Sequence, residues 1–161
     1  MNTAYLLLGS NIGDRKKYLS QALNHIESAV GKIIKTSSVY ESTAWGKEEQ
    51  RAFLNQVVFV QTLLSPEEIL NTCLQIESNM GRIRIDKWGE RIIDIDILYF
   101  NTAVVKSDEL MIPHPYIADR KFTLVPLCEI APDYIHPVLM CTNCQLLYMC
   151  KDNGHVSLYE N

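Results

Sequence analysis

Hydrophobic and polar positions follow two different periods along this chain, and the switches between them mark its elements. Leu6-Leu7-Leu8 stops at Gly9-Ser10-Asn11-Ile12-Gly13, which predicts a buried strand ending in a glycine-punctuated turn. Leu19, Ala22, Leu23, Ile26 and Val30 recur near a 3.6-residue period, so a helix follows, and Gly31 ends it. Two β-branched runs, Ile33 to Tyr40 and Phe53 to Leu63, predict strands separated by a long loop from Glu41 to Ala52. Ser65-Pro66-Glu67-Glu68 supplies an N-cap, a proline at the first helical position and a capping-box glutamate; the stripe Ile69, Cys73, Ile76 and Met80 then runs on to Gly81. Ile92 to Phe100 predicts a further strand.

The resulting order, β-α-β-β-α-β, belongs to the α+β class. It predicts a ferredoxin-like βαββαβ core, with a mainly antiparallel sheet and helices covering one face. A C-terminal extension follows, with a short hairpin near Val104 to Leu110, a Pro113-His114-Pro115 turn and an apolar stretch from Phe122 to Ile130. No repeat or linker interrupts the chain, and 161 residues fit one domain, 1–161.

Composition narrows the function. The chain has 15 Lys and Arg against 19 Asp and Glu, a formal charge of −4, so it lacks the cationic excess of a general nucleic-acid or anionic-membrane binder. No cationic leader and no span of about 20 apolar residues is present, and the expectation is a cytoplasmic protein. Monomer is the default expectation. Five cysteines, four of them after residue 127, read as free thiols. Cys141, Cys144, Cys150 and His155 resemble zinc ligands only superficially, because Thr142 or Asn143 reads as a helix N-cap there; Cys73 and Cys128 read as packing residues.

The chemistry concentrates in two adjoining segments. Asp94 and Asp96 alternate with isoleucines on a predicted strand, so both carboxylates share one face with Cα atoms about 6.6 Å apart. Such a pair is either solvated on an open sheet face or held by cations, and hard oxygen ligands suit Mg²⁺. Just before it, residues 82–91 carry four cations, Arg82, Arg84, Lys87 and Arg91, against Asp86 and Glu90. The local charge is +2, leaving −6 for the rest of the chain. Arginine beside a metal-binding carboxylate pair fits a Mg²⁺-polyphosphate, with Trp88 adding an aromatic surface. No Walker-type phosphate loop is present, and Gly9 to Gly13 alone reads as a strand-to-helix turn.

These segments carry a resemblance. Gly9-Ser10-Asn11, Ser37-Ser38-Val39-Tyr40, Phe53-Leu54-Asn55, Arg82-Ile83-Arg84, Trp88-Gly89, Arg91 through Leu98, Pro113-His114-Pro115, Arg120-Lys121-Phe122 and Pro126 through Pro132 together resemble the 6-hydroxymethyl-7,8-dihydropterin pyrophosphokinases of folate biosynthesis. The resemblance runs from Leu6 to about Pro137 and implies transfer of the terminal pyrophosphoryl unit of ATP to a pterin hydroxymethyl group, releasing AMP. It implies that Asp94 and Asp96 hold two Mg²⁺ ions, and that Arg82 and Arg91 stabilise charge on the transferred group. By the same likeness Arg84, Lys87, Trp88, His114, Tyr116 and Arg120 bind ATP. Phe53 and Phe122 would sandwich the pterin, Asn55 would read its amide edge, and Ser42, Thr43, Ala44 and Trp45 would close the wall. Lys87, Glu90, Phe53 and the segment Thr43-Ala44 differ from the Arg, Pro, Tyr and Pro common in the family. The competing reading is a non-catalytic ferredoxin-like module that binds nucleotide or RNA.

Overall fold

The computed structural model describes residues 1–44, 49–83 and 90–160. Its main sheet contains β1 (Asn2–Ser10), β2 (Lys32–Thr36), β3 (Tyr40–Ser42), β4 (Phe53–Thr62), β5 (Asp94–Phe100) and β8 (Val156–Leu158). The order is β5-β1-β4-β3-β8, with β2 also pairing β4, and every pairing is antiparallel. Taking β2 and β3 as one interrupted strand, the core order is fourth, first, third, second, as the ferredoxin-like arrangement requires.

The predicted strand from Ile33 to Tyr40 breaks at Ser37. Its N–H donates to the Val57 carbonyl, its hydroxyl accepts from the Val57 N–H, and its carbonyl accepts from the Gln56 side chain. These bonds satisfy the backbone without a regular ladder, so β3 restarts at Tyr40 and extends into what reads as loop in the sequence. The short hairpin is present as β6 (Val105–Lys106) and β7 (Met111–Ile112). Strand β8 has no clear sequence signal.

Helices α1 (Arg15–Ala29) and α2 (Pro66–Asn79) begin on side-chain caps at Asp14 and Ser65; the second is a complete capping box. Their stripes, Leu19, Ala22, Ile26 and Ile69, Cys73, Ile76, pack on Leu6, Leu8, Ile93, Ile95 and Ile97. The two core helices share one face as expected, and the C-terminal extension adds α3 (Lys121–Ile130) and α4 (Asn143–Met149), which bury Leu124, Leu127 and Leu146 on the opposite face against Leu7, Val57 and Leu98. The reason lies in the strands. Leu6-Leu7-Leu8 is apolar on both sides, and such a strand must be covered twice. Thr142 is the N-cap of α4, and all five cysteines are free. Among the described residues no helix is long and apolar enough to cross a membrane.

Candidate active site

Where the second layer stops short of the strand ends, the sheet opens into a solvent-connected cleft. Its floor is made by Leu7 and Gly9 of β1, Phe53 and Asn55 of β4, and Asp94 and Asp96 of β5. The register explains the grouping. Gly9 lies opposite both Asn55 and Asp94, and Leu7 lies opposite Asp96, so these side chains share the face on which α3 packs. Ser42 and Thr43 form one rim, and Arg120 and Phe122, at the start of α3, form another. Glycine leaves the floor open, since a Cβ on Gly9 would touch Asn55 Oδ1 and the Phe53 ring, each at 3.6 Å.

Charge is sorted along the β5 wall. The Asp94 carboxylate is bridged by Arg82 at 2.6 Å and Arg91 at 2.8 Å. Arg82 also pairs with Glu77 at 2.8 Å, and Glu77 accepts the Ile95 N–H at 2.8 Å with its other oxygen. Glu77 is 2% exposed, so it links α2, the β5 edge and the arginine in one buried network. Asp96 differs. Burial, reinforced by the Asp94 charge, pushes its carboxyl up to about 8. A carboxylate disfavoured in this way is one that a divalent cation would relieve.

The predicted ATP residues extend from Arg120. Its guanidinium lies 4.7 Å from the Tyr116 ring centroid and 5.5 Å from that of Phe122, and the His114 and Tyr116 rings are 5.9 Å apart. Burial, with Arg120 nearby, lowers the His114 imidazole to about 4. Its Nδ1 accepts the Tyr116 N–H at 3.2 Å, as a neutral ring can. His114 and Tyr116 lie beside the main cleft rather than lining it.

The structure thus gathers Ser42, Thr43, Phe53, Asn55, Arg91, Asp94, Asp96, Arg120 and Phe122 around one opening, with Arg82 on its Asp94 wall. Ala44 is buried at 8% exposure and does not line the cleft. Trp45, Arg84, Lys87 and Trp88 lie outside the described residues. Asn55 donates to the Ser42 hydroxyl at 2.8 Å, which fixes the orientation of its amide.

The family model for 7,8-dihydro-6-hydroxymethylpterin-pyrophosphokinase matches residues 5–132. The chain belongs to this family. It is 43% identical over 136 residues to the 2-amino-4-hydroxy-6-hydroxymethyldihydropteridine pyrophosphokinase of Methylorubrum extorquens, covering 84% of this chain and 86% of that one. With the Bacillus subtilis protein of the same name it shares 47% identity over 131 residues, 80% of this chain and 78% of that one. A solved Plasmodium falciparum HPPK-DHPS structure superposes with a TM-score of 0.77 at 23% identity. That match covers 92% of this chain and 45% of the larger one, so this chain spans less than half of it, and the likeness is one of fold.

Two residues around this cleft are not among those the sequence singles out. Asn11, with 0% exposure, binds the Arg91 backbone and the Arg51 carbonyl, although Gly9-Ser10-Asn11 reads as a simple turn. Glu77 had a signal. It is an acid in the last turn of α2, where the helix dipole disfavours negative charge, and it lies four residues from Cys73 on the apolar stripe.

Proposed function

We propose that this cleft transfers the terminal pyrophosphoryl group of ATP to the hydroxymethyl oxygen of 6-hydroxymethyl-7,8-dihydropterin, a step toward folate. The observation that carries the proposal is the placement of Asp94 and Asp96 on one strand, facing a cleft whose other walls are Phe53, Phe122 and arginines. The donor set of this reading is the carboxylate pair Asp94 and Asp96. That set fits Mg²⁺, which typically takes one or two protein carboxylates and completes its octahedron with phosphate and water. We assign two Mg²⁺ ions to Asp94 and Asp96; when bound, they would neutralise phosphate charge and polarise the transferred group.

The protein's own part is positioning and electrostatics. Phe53 and Phe122 hold the flat pterin and exclude water, and Asn55, oriented by Ser42, reads its polar edge. The hydroxymethyl oxygen bonds to the β-phosphorus, the bond from that phosphorus to the oxygen bridging it to the α-phosphate breaks, and AMP leaves with that oxygen. The hydroxyl proton is released. Arg82 and Arg91, both paired with Asp94, are the groups we assign to balance charge on the transferred group. Arg120, His114 and Tyr116 hold ATP, together with Arg84, Lys87 and Trp88. We place this activity in the cytosol, with a monomer as the working unit.

The test is incubation with ATP, Mg²⁺ and the hydroxymethyl dihydropterin, followed by identification of the nucleotide product. AMP with the pterin diphosphate is expected, and chelation of Mg²⁺ is expected to abolish both. ADP, or no turnover, would overturn the proposal.

A further inference from the structure

We propose that residues 152–159 form a strap that fixes the spacing of the cleft's aromatic and polar walls, with Asp152 as a positioning residue for Phe122. This inference rests on the assignment of those walls to the pterin. The segment lies outside residues 5–132, which the family model matches. It reaches three parts of the cleft.

The first is the start of α3. This helix has no side-chain cap of its own, since Arg120 at the N-cap position supplies none. Instead Asp152 accepts the Lys121 N–H on Oδ2 at 3.0 Å, while its Oδ1 accepts the Gly154 N–H at 2.8 Å. A carboxylate from elsewhere in the chain therefore caps the helix whose second residue is Phe122. It satisfies an orphan donor and complements the positive end of the helix.

The second is the Ser42-Thr43 rim. Strand β8 pairs with β3, placing Val156 opposite Ser42, and the Thr43 N–H donates to the His155 carbonyl at 3.2 Å. Gly154 sits at the junction. A Cβ there would lie 3.0 Å from the strap's own Asp152 Oδ1 and 3.3 Å from Thr43 Oγ1, so the strap lies against the Thr43 rim at a residue with no side chain.

The third is the base of Phe53. The Tyr159 N–H donates to the Val39 carbonyl at 2.9 Å, and its ring lies 5.7 Å from the Arg15 guanidinium. Arg15 in turn donates to the Ala52 carbonyl at 2.8 Å and pairs with Glu41 at 2.8 Å. One segment thus holds Phe122 through Asp152, Thr43 through His155, and the residue before Phe53 through Arg15. A planar ligand between two aromatic rings depends on their separation, and none of these contacts involves Asp94, Asp96 or Arg120.

The experiment compares full-length Asp152→Ala, Asp152→Asn and Gly154→Ala with the wild type, using ATP, Mg²⁺ and hydroxymethyl dihydropterin. Loss of the cap in Asp152→Ala is expected to raise the dihydropterin KM about five- to tenfold while kcat and the ATP KM stay within about twofold. Asp152→Asn keeps only one of the two acceptor oxygens and should restore the dihydropterin KM in part; Gly154→Ala should raise it. An unchanged dihydropterin KM in Asp152→Ala, or equal rises for both substrates, would overturn the strap. Hydrogen exchange of the ligand-free proteins separates it from the reading of the site. Faster exchange at the Phe122 and Thr43 amides in Asp152→Ala supports the strap even if the wild type turned over no dihydropterin. Unchanged exchange at Thr43 overturns it whatever the kinetics.

Discussion

Asn11 and Arg91, 80 residues apart, are joined by two backbone-anchored hydrogen bonds: the Arg91 N–H donates to Asn11 Oδ1 at 2.8 Å, and the Asn11 N–H donates to the Arg91 carbonyl at 3.1 Å. The side-chain amide of Asn11 also donates to the Arg51 carbonyl at 3.3 Å. The end of β1 therefore positions the arginine that bonds Asp94 and lies 5.7 Å from the Phe53 ring. Asn11→Ala leaves buried backbone groups without partners. It should destabilise the protein by about 1–3 kcal/mol in urea unfolding and lower kcat, because Arg91 loses its anchor. A variant with wild-type stability and kcat would show that Arg91 is held by other means.

Glu77 makes a parallel case on the other side of Asp94. Glu77→Ala removes the acceptor of the Ile95 N–H and one partner of Arg82, so a loss of about 1–3 kcal/mol is expected. Glu77→Gln keeps an oxygen for Ile95 and should recover part of that loss. Equal stability of the two variants would place the whole effect in the Arg82 charge.

Burial, reinforced by the Asp94 charge, pushes the Asp96 carboxyl from an ordinary 3.8 up to about 8 in the folded protein. Folded chain thus keeps a proton that unfolded chain releases, and stability of the ligand-free protein is lost as pH rises through that window. Asp96→Asn removes the loss. Its melting temperature should exceed that of the wild type by more at pH 8 than at pH 5, while Mg²⁺-dependent turnover disappears. A variant less stable than the wild type at pH 8 would contradict this account.

His114 has the opposite sign. Its imidazole is held down to about 4 from 6.5, so its contribution to stability is complete above pH 6.5 and is lost as pH falls toward 4. Nitrogen-15 NMR should show a neutral ring at pH 6, with Nδ1 unprotonated. An imidazolium at that pH would be inconsistent with the Tyr116 N–H bond to Nδ1.

Gly9 tests the cleft floor. A β-carbon there makes ordinary contacts at 3.6 Å with Asn55 and Phe53, so Gly9→Val should fold. The added methyl groups occupy ligand space, and the dihydropterin KM should rise at least about tenfold, with a smaller change for ATP. Equal changes in both KM values would place the pterin elsewhere.

The alternation of Asp94 and Asp96 with isoleucines determined by itself that two carboxylates share a face, because strand geometry allows no other outcome. The apolar stripes of α1 and α2 and the cap of α2 were equally local, and so was the order of the core elements. Only the tertiary structure decided which groups meet those carboxylates. Register across β1 brings Gly9 and Asn55 beside Asp94, the second helical layer brings Arg120 and Phe122 over Asp96, and the pairing of β8 with β3 brings Asp152 to a helix 31 residues away. Short periods read along one chain record the face a side chain takes. They carry no record of its partner, which depends on contacts between distant segments that form only when the sheet and both its layers are assembled.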